Sequence, residues 1–339
     1  LVEFEDGLLS GAGAAVSKET FRLMDPVSQR MMGVRADMTT QVARIALTRL
    51  AESPRPLRIG YTGEVLRVRG TQLRPERQFA QVGAELIGSE SAVADIEIIA
   101  LAVEALHAIG VPGLSVDLTI PPLVPALLDG LGVAADRRAA LRDALDRKDA
   151  AAVRENGGAA AETLARLMKG TGPGEEALGI LRRLDLPAAP ARELRRLQEV
   201  LEGLRRRVPD IGITVDPVEN RGFEYHTGVA FTFFARGERG EIGAGGRYVA
   251  TLNGAGNDNG EPATGFTLYV DPILRVLPDP QRVRRVFLPA MDDPAPGRKL
   301  RAEGWMTISG LDRVGDVEAE ARRLGCSHVW SDGRIEPLG

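Results

Sequence analysis

The chain is organised around the stretch from Arg221 to Tyr248, which reads RGFEYHTGVAFTFFARGERGEIGAGGRY. An apolar and aromatic run over residues 225–234 meets a glycine-rich turn at 236–240, and a second strand leads into residues 243–246. This order predicts a β-hairpin, since strand-forming runs on either side of a turn pair antiparallel. Glycines lack a Cβ, so a ligand or another strand can come close to the backbone there.

Polar side chains with no evident structural use lie at both ends of this hairpin. They are Arg221, Glu224, Tyr225 and His226 at one end, and Arg247 and Tyr248 at the other. Arginine and tyrosine side chains gathered beside glycines are suited to hold a small charged molecule. The stretch therefore predicts a ligand pocket at the ends of the hairpin.

Composition limits the class of protein. A chain of 339 residues is long enough for one large domain and a small one. Lys and Arg number 43 against 47 Asp and Glu, a net charge of −4, so there is no global attraction for nucleic acid. The single cysteine, Cys326, excludes an internal disulfide framework and fits a reducing, cytoplasmic compartment.

Membrane and metal chemistry are not indicated. The sequence has no apolar run of about 18 residues and no basic-then-apolar leader, so it predicts neither a membrane span nor a signal peptide. His107, His226 and His328 lie far apart, and no Cys/His pair has the spacing of metal ligands. We therefore expect no metal and no other cofactor.

Residues 21–50 predict two short strands and a helix. The strands cover 21–24 and 31–34 around an Asp-Pro turn, and the helix covers 38–50 with apolar residues on one face. Asp37 is placed as the N-cap of this helix, and Thr39 lies in its first turn, where backbone N–H groups lack partners. Asp37 can thus be either a simple cap or a ligand-binding group.

Residues 57–87 predict a second strand pair, 57–69 and 77–87. In its second strand Ala80, Val82, Ala84 and Leu86 share one face, which suits a core. The other face carries Gln81, Gly83 and Glu85, two hydrogen-bonding groups that flank a glycine. This face predicts a polar notch, and a solvated surface is the alternative. On the first strand Arg67 shares a face with Tyr61 and Gly63.

The remaining sequence predicts a core over residues 1–277 and a small α/β segment over 283–339. A helix at 91–109 and a strand at 115–119 lead to a helical insert at about 123–208, which is rich in Ala, Leu and Arg. Strands follow at 211–216 and 263–270. The arginines of the insert are interpreted as solvated helix faces.

Five blocks occur in the order of the motifs of histidyl-tRNA synthetase, and the resemblance covers roughly residues 15–275. The blocks are RADMTTQVARIA, LRVRGTQLRPERQFAQVGAELIG, RGFEYHTGVAF, GAGGRY and ATGFTLYV. The resemblance implies an α+β fold with the class II aminoacyl-tRNA synthetase core: a central antiparallel sheet flanked by helices, a helical insertion and a dimeric state. Residues 283–339 resemble a shortened remnant of the anticodon-binding domain.

The resemblance also implies roles for individual residues in binding histidine. Asp37 stands where the family has a glutamate that receives the amino group, and Arg67 matches an arginine that contacts the carboxylate. Tyr248 matches a tyrosine beside the imidazole. The other matching positions are Thr39, the histidine-binding pair Gln81 and Glu85, the histidine-motif arginine Arg221, and Tyr225 and His226 where the family has two tyrosines.

Two departures concern the ATP site. Class II synthetases end their third motif with an arginine that clamps the γ-phosphate, and this chain has Pro272 there. A proline cannot supply a guanidinium fork. The glutamate that contacts adenine two residues after the second-motif arginine is replaced by Arg69. The amino-acid pocket is therefore largely retained, whereas the ATP pocket is not.

This combination resembles one family in particular, the synthetase-like regulatory subunits of ATP phosphoribosyltransferase, in their alphaproteobacterial form. It implies a non-catalytic homodimer in a hetero-oligomer with a short-form catalytic subunit, with L-histidine as effector and no tRNA or membrane partner. Such a subunit acts in the first step of L-histidine biosynthesis. The alternatives are an active histidyl-tRNA synthetase, another histidine-activating enzyme, and a scaffold whose pocket has no function.

Overall fold

A computed structural model describes residues 1–9, 17–70, 75–219, 225–252, 260–278, 284–290 and 293–338. The strands are β1 (Val2–Phe4), β2 (Phe21–Met24), β3 (Met31–Val34), β4 (Leu57–Leu66), β5 (Gln78–Ile87), β6 (Ser115–Thr119), β7 (Gly172–Pro173), β8 (Gly212–Asp216), β9 (Ala230–Phe234), β10 (Gly243–Ala250), β11 (Glu261–Tyr269), β12 (Arg285–Leu288), β13 (Met306–Ser309), β14 (His328–Ser331) and β15 (Arg334–Pro337).

The helices lie between these strands along the chain. They are α1 (Glu5–Leu8), α2 (Thr39–Leu47), α3 (Ala92–Ala108), α4 (Leu123–Gly130), α5 (Ala135–Asp146), α6 (Ala150–Asn156), α7 (Ala161–Lys169), α8 (Gly174–Leu181), α9 (Ala188–Arg207), α10 (Val270–Val276), α11 (Ala295–Ala302) and α12 (Val317–Arg323). None of the described helices is long and apolar enough to cross a membrane. The chain divides into two units, Leu1–Leu277 and Pro278–Gly339.

An eight-stranded sheet in the order β4-β5-β11-β10-β9-β6-β8-β7 organises the first unit. Its pairings are antiparallel except for β6 and β8, which run parallel. The predicted hairpin forms from β9 and β10, with Phe233 opposite Gly243 and Ala230 opposite Gly246. Its first strand begins at Ala230 rather than at Tyr225, so Tyr225 and His226 lie on the segment that leads into the strand.

The two faces of this sheet differ in chemistry because side chains alternate along each strand. We call the face that carries Gln81, Gly83 and Glu85 the pocket face, and the opposite face the helix face. On the helix face α3 and α9 pack over apolar side chains such as Leu86, Phe231 and Phe233. The helices of the insert, α4–α9, contribute to the same core. Helix α2 covers one end of the pocket face, where Ala43 and Ala46 meet strand residues.

The predicted core face of β5 is only partly covered. Leu86 is buried at 1% exposure, whereas Val82 on the same face is 41% exposed. The prediction for Val82 was therefore wrong. The apolar core lies at the Leu86 end of β5, and the alternation pattern alone does not show how far the cover extends along a strand.

The second unit contains a four-stranded sheet in the order β13-β12-β14-β15. Strands β12, β13 and β14 are parallel, and β15 is an antiparallel edge strand that the sequence pattern did not reveal. Apolar side chains cover both faces: Phe287 packs with Ala321 and Val329 on one, and Val286 packs with Leu300 on the other.

Candidate functional site

The candidate site lies on the pocket face, where β5, β11, β10 and β4 lie side by side. Glu85 on β5 is opposite Gly265 on β11, and Gly265 is opposite Gly246 on β10. A Cβ on Gly265 would overlap the Glu85 carboxylate, and a Cβ on Gly246 would overlap the His226 ring. The glycines therefore make room for the protein's own side chains, which form the walls of the site.

Glu85 is the most deeply buried acidic group of the site, with 2% exposure. Tyr248 donates to its Oε2 at 3.0 Å, and Tyr61 donates to its Oε1 at 3.3 Å. Burial raises the pKa of Glu85 from about 4.5 to about 8, and the hydrogen bond from Tyr248 opposes this shift. The nearby Asp37 carboxylate raises the pKa further. Glu85 is thus largely protonated at neutral pH.

Asp37 and Gln81 join the start of α2 to the pocket face. Nε2 of Gln81 donates to Oδ2 of Asp37 at 2.9 Å, and the Met38 N–H donates to Oε1 of Gln81 at 3.2 Å. The Thr39 N–H donates to Oδ1 of Asp37 at 2.8 Å. The helix starts at Thr39, with Met38 as its N-cap, so the prediction that Asp37 is the N-cap was wrong by one residue. Asp37 nevertheless accepts a hydrogen bond from the first N–H of the helix and also from Gln81.

An aromatic wall closes another side of the site. The rings of Tyr225 and His226 lie 4.0 Å apart with an interplanar angle of 33°, and the rings of Tyr225 and Tyr248 lie 6.5 Å apart. His226 and Tyr248 are buried, whereas Tyr225 is 43% exposed. Desolvation of the Tyr225 hydroxyl raises its pKa, the Asp37 and Glu85 carboxylates add to the shift, and Arg67 opposes it. Tyr248 links this wall to Glu85 through its hydroxyl, so the wall and the carboxyl group border the same space.

Arg67 lies at the edge of this space, beyond the end of β4 at Leu66. Its Nε donates to the Ala36 carbonyl at 3.2 Å and lies 3.3 Å from a Glu19 carboxylate oxygen. Its guanidinium covers the Phe79 ring at 5.2 Å. The guanidinium is therefore held at the edge of the site, next to the residue that precedes Asp37.

The structure thus brings together most of the predicted site residues, and Arg221 lies outside the described residues. Those that meet are Asp37, Thr39, Arg67, Gln81, Glu85, Tyr225, His226 and Tyr248. Tyr61 and Thr267 were not predicted as site residues. The Tyr61 hydroxyl lies 2.7 Å from Oγ1 of Thr267, and its ring covers Gly83. The opposition of Tyr61 and Gly83 in a paired hairpin is the signal that could have revealed it.

Arg247 does not belong to the site. Its side chain lies on the helix face, where Nε donates to Oδ1 of the buried Asp95 at 3.0 Å. The prediction that it has no structural use was wrong. Side chains of neighbouring strand residues point to opposite faces, so Tyr248 and Arg247 cannot both enter the pocket.

The two positions that depart from the synthetase pattern, Pro272 and Arg69, lie in different surroundings. Pro272 is buried in the first turn of α10, and Arg69 is exposed. Arg275, on the same helix as Pro272, pairs with Glu238 at 2.8 Å and with Glu76 at 3.4 Å. Among the described residues, no group of three or more His, Cys, Asp or Glu side chains could hold a metal ion.

Comparison with known proteins agrees with this architecture. A family model described as histidyl-tRNA synthetase matches residues 1–273. The fold is similar to a crystal structure of histidyl-tRNA synthetase from Nostoc sp. PCC 7120, with a TM-score of 0.74, 19% identity, and coverage of 97% of this chain and 81% of that chain. These matches define the fold as that of the class II aminoacyl-tRNA synthetases in its histidyl form, as predicted.

Relatives with higher sequence identity are named as regulatory subunits rather than as synthetases. An ATP phosphoribosyltransferase regulatory subunit of Rhodospirillum centenum is 54% identical over 100% of this chain and 86% of its own length, and one of Paramagnetospirillum magneticum is 53% identical over 99% and 87%. A structure titled as ATP phosphoribosyltransferase regulatory subunit/histidyl-tRNA synthetase from Bacillus halodurans has a TM-score of 0.76 at 25% identity, covering 95% of this chain and 85% of that chain. The chain belongs to the family of ATP phosphoribosyltransferase regulatory subunits.

Proposed function

We propose that this chain is a non-catalytic subunit of ATP phosphoribosyltransferase that binds free L-histidine. The presence or absence of histidine in its pocket would change the activity of a short-form catalytic chain. That reaction is the first step of L-histidine biosynthesis. The observation that carries the proposal is the contrast between two sites. Gln81 is hydrogen-bonded to Asp37 and Glu85 is buried on the pocket face, whereas Pro272 occupies the position of the phosphate-clamping arginine.

The pocket offers complementary groups for each part of free histidine. The Asp37 carboxylate and the Gln81 side-chain carbonyl can accept hydrogen bonds from the ammonium group. Glu85 can exchange a hydrogen bond with the imidazole in either protonation state, because its pKa of about 8 lets it donate at neutral pH and accept at higher pH. Arg67 at the edge can receive the carboxylate.

The proposed lack of catalysis follows from the groups that replace the phosphate clamp. Adenylation of an amino acid requires the phosphates of ATP to be positioned and neutralised. Proline offers no donor, and the arginine that follows on the same helix, Arg275, is engaged by two glutamates. We therefore expect no ATP–pyrophosphate exchange above background in the presence of L-histidine. Histidine-dependent exchange would instead support an active synthetase.

Regulation requires that histidine bind one conformation of the complex more tightly than another, since a ligand with equal affinity for both shifts neither. We propose that the chain acts as a homodimer within a hetero-oligomer and that it recognises no tRNA. The catalytic chain would depend on it for activity, and histidine would reduce that activity.

Calorimetry with L-histidine on the purified chain tests the sensor role. We expect saturable binding to wild type, a loss of at least tenfold in affinity for Asp37→Asn, and wild-type affinity for the control Glu97→Gln. Glu97 is a suitable control because it pairs with Arg58 on the helix face, away from the pocket. Absence of binding to wild type, together with unchanged transferase activity when L-histidine is added to the reconstituted complex, would refute the proposal.

A further inference from the structure

A buried ion network lies directly behind the candidate site, on the helix face of the sheet. We call it the Asp95 cluster: Asp95 on α3, Arg247 on β10 and Arg196 on α9. Asp95 is 0% exposed and Arg247 4%. Nη2 of Arg247 lies 2.8 Å from Oδ1 of Asp95, and Nε of Arg196 lies 3.3 Å from Oδ2. One carboxylate thus joins a strand of the pocket to a helix of the insert.

The backbone of Arg247 is tied to the pocket walls. It precedes Tyr248, whose hydroxyl donates to Glu85. Its N–H donates to the Val229 carbonyl at 2.9 Å, and its carbonyl accepts from the Thr227 N–H at 2.8 Å. Residues 227–229 directly follow Tyr225 and His226 in the chain. A shift of the Tyr225–His226 segment or of Tyr248 would therefore displace the Arg247 backbone and, with it, the guanidinium.

Both arginines also hold the turn that leads from β5 into α3. Arg247 donates to the Ser89 carbonyl at 2.6 Å and to the Ser91 carbonyl at 3.0 Å. Arg196 donates to the carbonyl between them, that of Glu90. This turn follows the strand that carries Gln81 and Glu85. The Asp95 cluster therefore contains a residue of β10 and contacts the turn that follows β5.

Helix α9 is tightly packed in the core. A displacement at one of its residues would therefore move a large part of the helix. Leu197, Leu201 and Leu204 are buried in the main core. Gly203 lies against Ile96, the residue after Asp95, so closely that a Cβ at position 203 would overlap the Ile96 side chain. Close-packed interiors transmit displacements rather than absorb them.

We infer that Arg196 transmits the state of the pocket to the helical insert. The inference rests on the proposed function, since it takes L-histidine as the ligand. Arg196 touches no group of the pocket and acts as a positioning residue through Asp95 and the Glu90 carbonyl. Its side chain is 25% exposed, against 5% for Arg247, so it can exchange these partners for water at the lower cost. Arg196 is therefore the member of the Asp95 cluster that can lose its bonds to Asp95 and the Glu90 carbonyl while the fold is maintained.

Hydrogen exchange of the full chain with and without L-histidine tests the inference. In wild type we expect histidine to slow exchange in β5 and β10 and also, by about fivefold or more, in α9. In Arg196→Gln the slowing in β5 and β10 should persist and that in α9 should be lost. The matched control is Arg192→Gln on the same helix, where Arg192 is largely exposed beside Glu193 and should leave the α9 response intact.

The outcomes separate this inference from the proposed function. If wild type binds histidine but slowing is confined to β5 and β10, or if the α9 response survives in Arg196→Gln, Arg196 is not the coupling residue, and the sensor role stands. If wild type binds no histidine, both proposals are wrong. Arg196→Lys retains the charge but cannot bond both Asp95 and the Glu90 carbonyl through a fork, so a restored α9 response in that variant would also count against the geometry proposed here.

Discussion

Two polar clusters lie on opposite faces of the sheet at β10. They differ in whether their carboxyl groups contact guanidinium groups of the protein. On the helix face, the Asp95 carboxylate is paired with two guanidinium groups, and Arg247 also reaches two backbone carbonyls. On the pocket face, Asp37 and Glu85 contact only hydroxyl, amide and backbone N–H groups in the part of the chain that the structure describes.

The difference assigns a structural role to the Asp95 cluster and supports the proposed ligand-binding role of the pocket face. A buried carboxylate with paired cations is satisfied by the protein itself. Two carboxyl groups that contact no cation among the described residues are accommodated by raising a pKa, as burial does for Glu85, or by binding a cation from outside. Free histidine carries such a cation in its ammonium group. The comparison therefore supports a cationic ligand on the pocket face only.

Removing the carboxylate of the Asp95 cluster tests most directly whether that cluster has a structural role. Asp95→Ala leaves the buried Arg247 without a counterion, so we expect a loss of about 3–5 kcal/mol in the free energy of unfolding. Denaturant titration measures it. The control Glu97→Ala, on the same helix, removes an ion pair with the exposed Arg58 and should cost about 0–1 kcal/mol. Equal losses in the two variants would show that the Asp95 cluster is not a structural anchor.

The second prediction concerns Glu85 on the pocket face and the dependence of the unfolding free energy on pH. The folded-state pKa of Glu85, about 8, exceeds its ordinary value of about 4.5. Between these values the native state binds more protons than the unfolded state, so the contribution of Glu85 to stability falls as pH rises through this window. Glu85→Gln cannot titrate. Relative to this variant, wild type should lose roughly 2–4 kcal/mol of unfolding free energy between pH 5 and pH 8.5.

Denaturant titrations of the two proteins at several pH values measure that difference, because groups that do not interact with Glu85 contribute equally to both. L-histidine should also bind Glu85→Gln at least tenfold more weakly at pH 8.5. Parallel pH profiles for wild type and variant would contradict the raised pKa, and with it the view that the pocket face holds an unmatched carboxyl group.

Sequence patterns reveal one of the two clusters and miss the other, for a physical reason. Gln81 and Glu85 share a face by the period of two, and the spacing can be read within one strand. Asp95 and Arg247 are 152 residues apart, and their pairing depends on how β10, β5 and α3 are arranged in the sheet. No local signal carries that arrangement, so Arg247 was assigned to the pocket with Tyr248. Tyr61 is an intermediate case, because its partner Gly83 becomes apparent only with the hairpin register.

A third prediction tests whether glycine is required where the pocket strands meet. In Gly265→Ala the new methyl group would overlap the Glu85 carboxylate and lie 2.8 Å from the Ala84 carbonyl, which cannot move aside freely. We expect a loss of about 1–3 kcal/mol in unfolding free energy and weaker histidine binding. Gly60→Ala is the matched control, since its Cβ would meet only the Gly83 carbonyl, at 3.9 Å. A neutral Gly265→Ala would mean that Glu85 is not confined as the structure shows.

The smallest expected effect separates two tyrosines of the aromatic wall. Tyr248→Phe removes the donor that lies 3.0 Å from Glu85 in a buried position, and we expect about a five- to tenfold loss of histidine affinity. Tyr225→Phe preserves the ring that lies 4.0 Å from His226 on a half-exposed residue, and should change affinity by about twofold or less. Calorimetry on both variants compares them. If Tyr225→Phe has the larger effect, the ligand is held at the open edge of the pocket beside Arg67 rather than against Glu85.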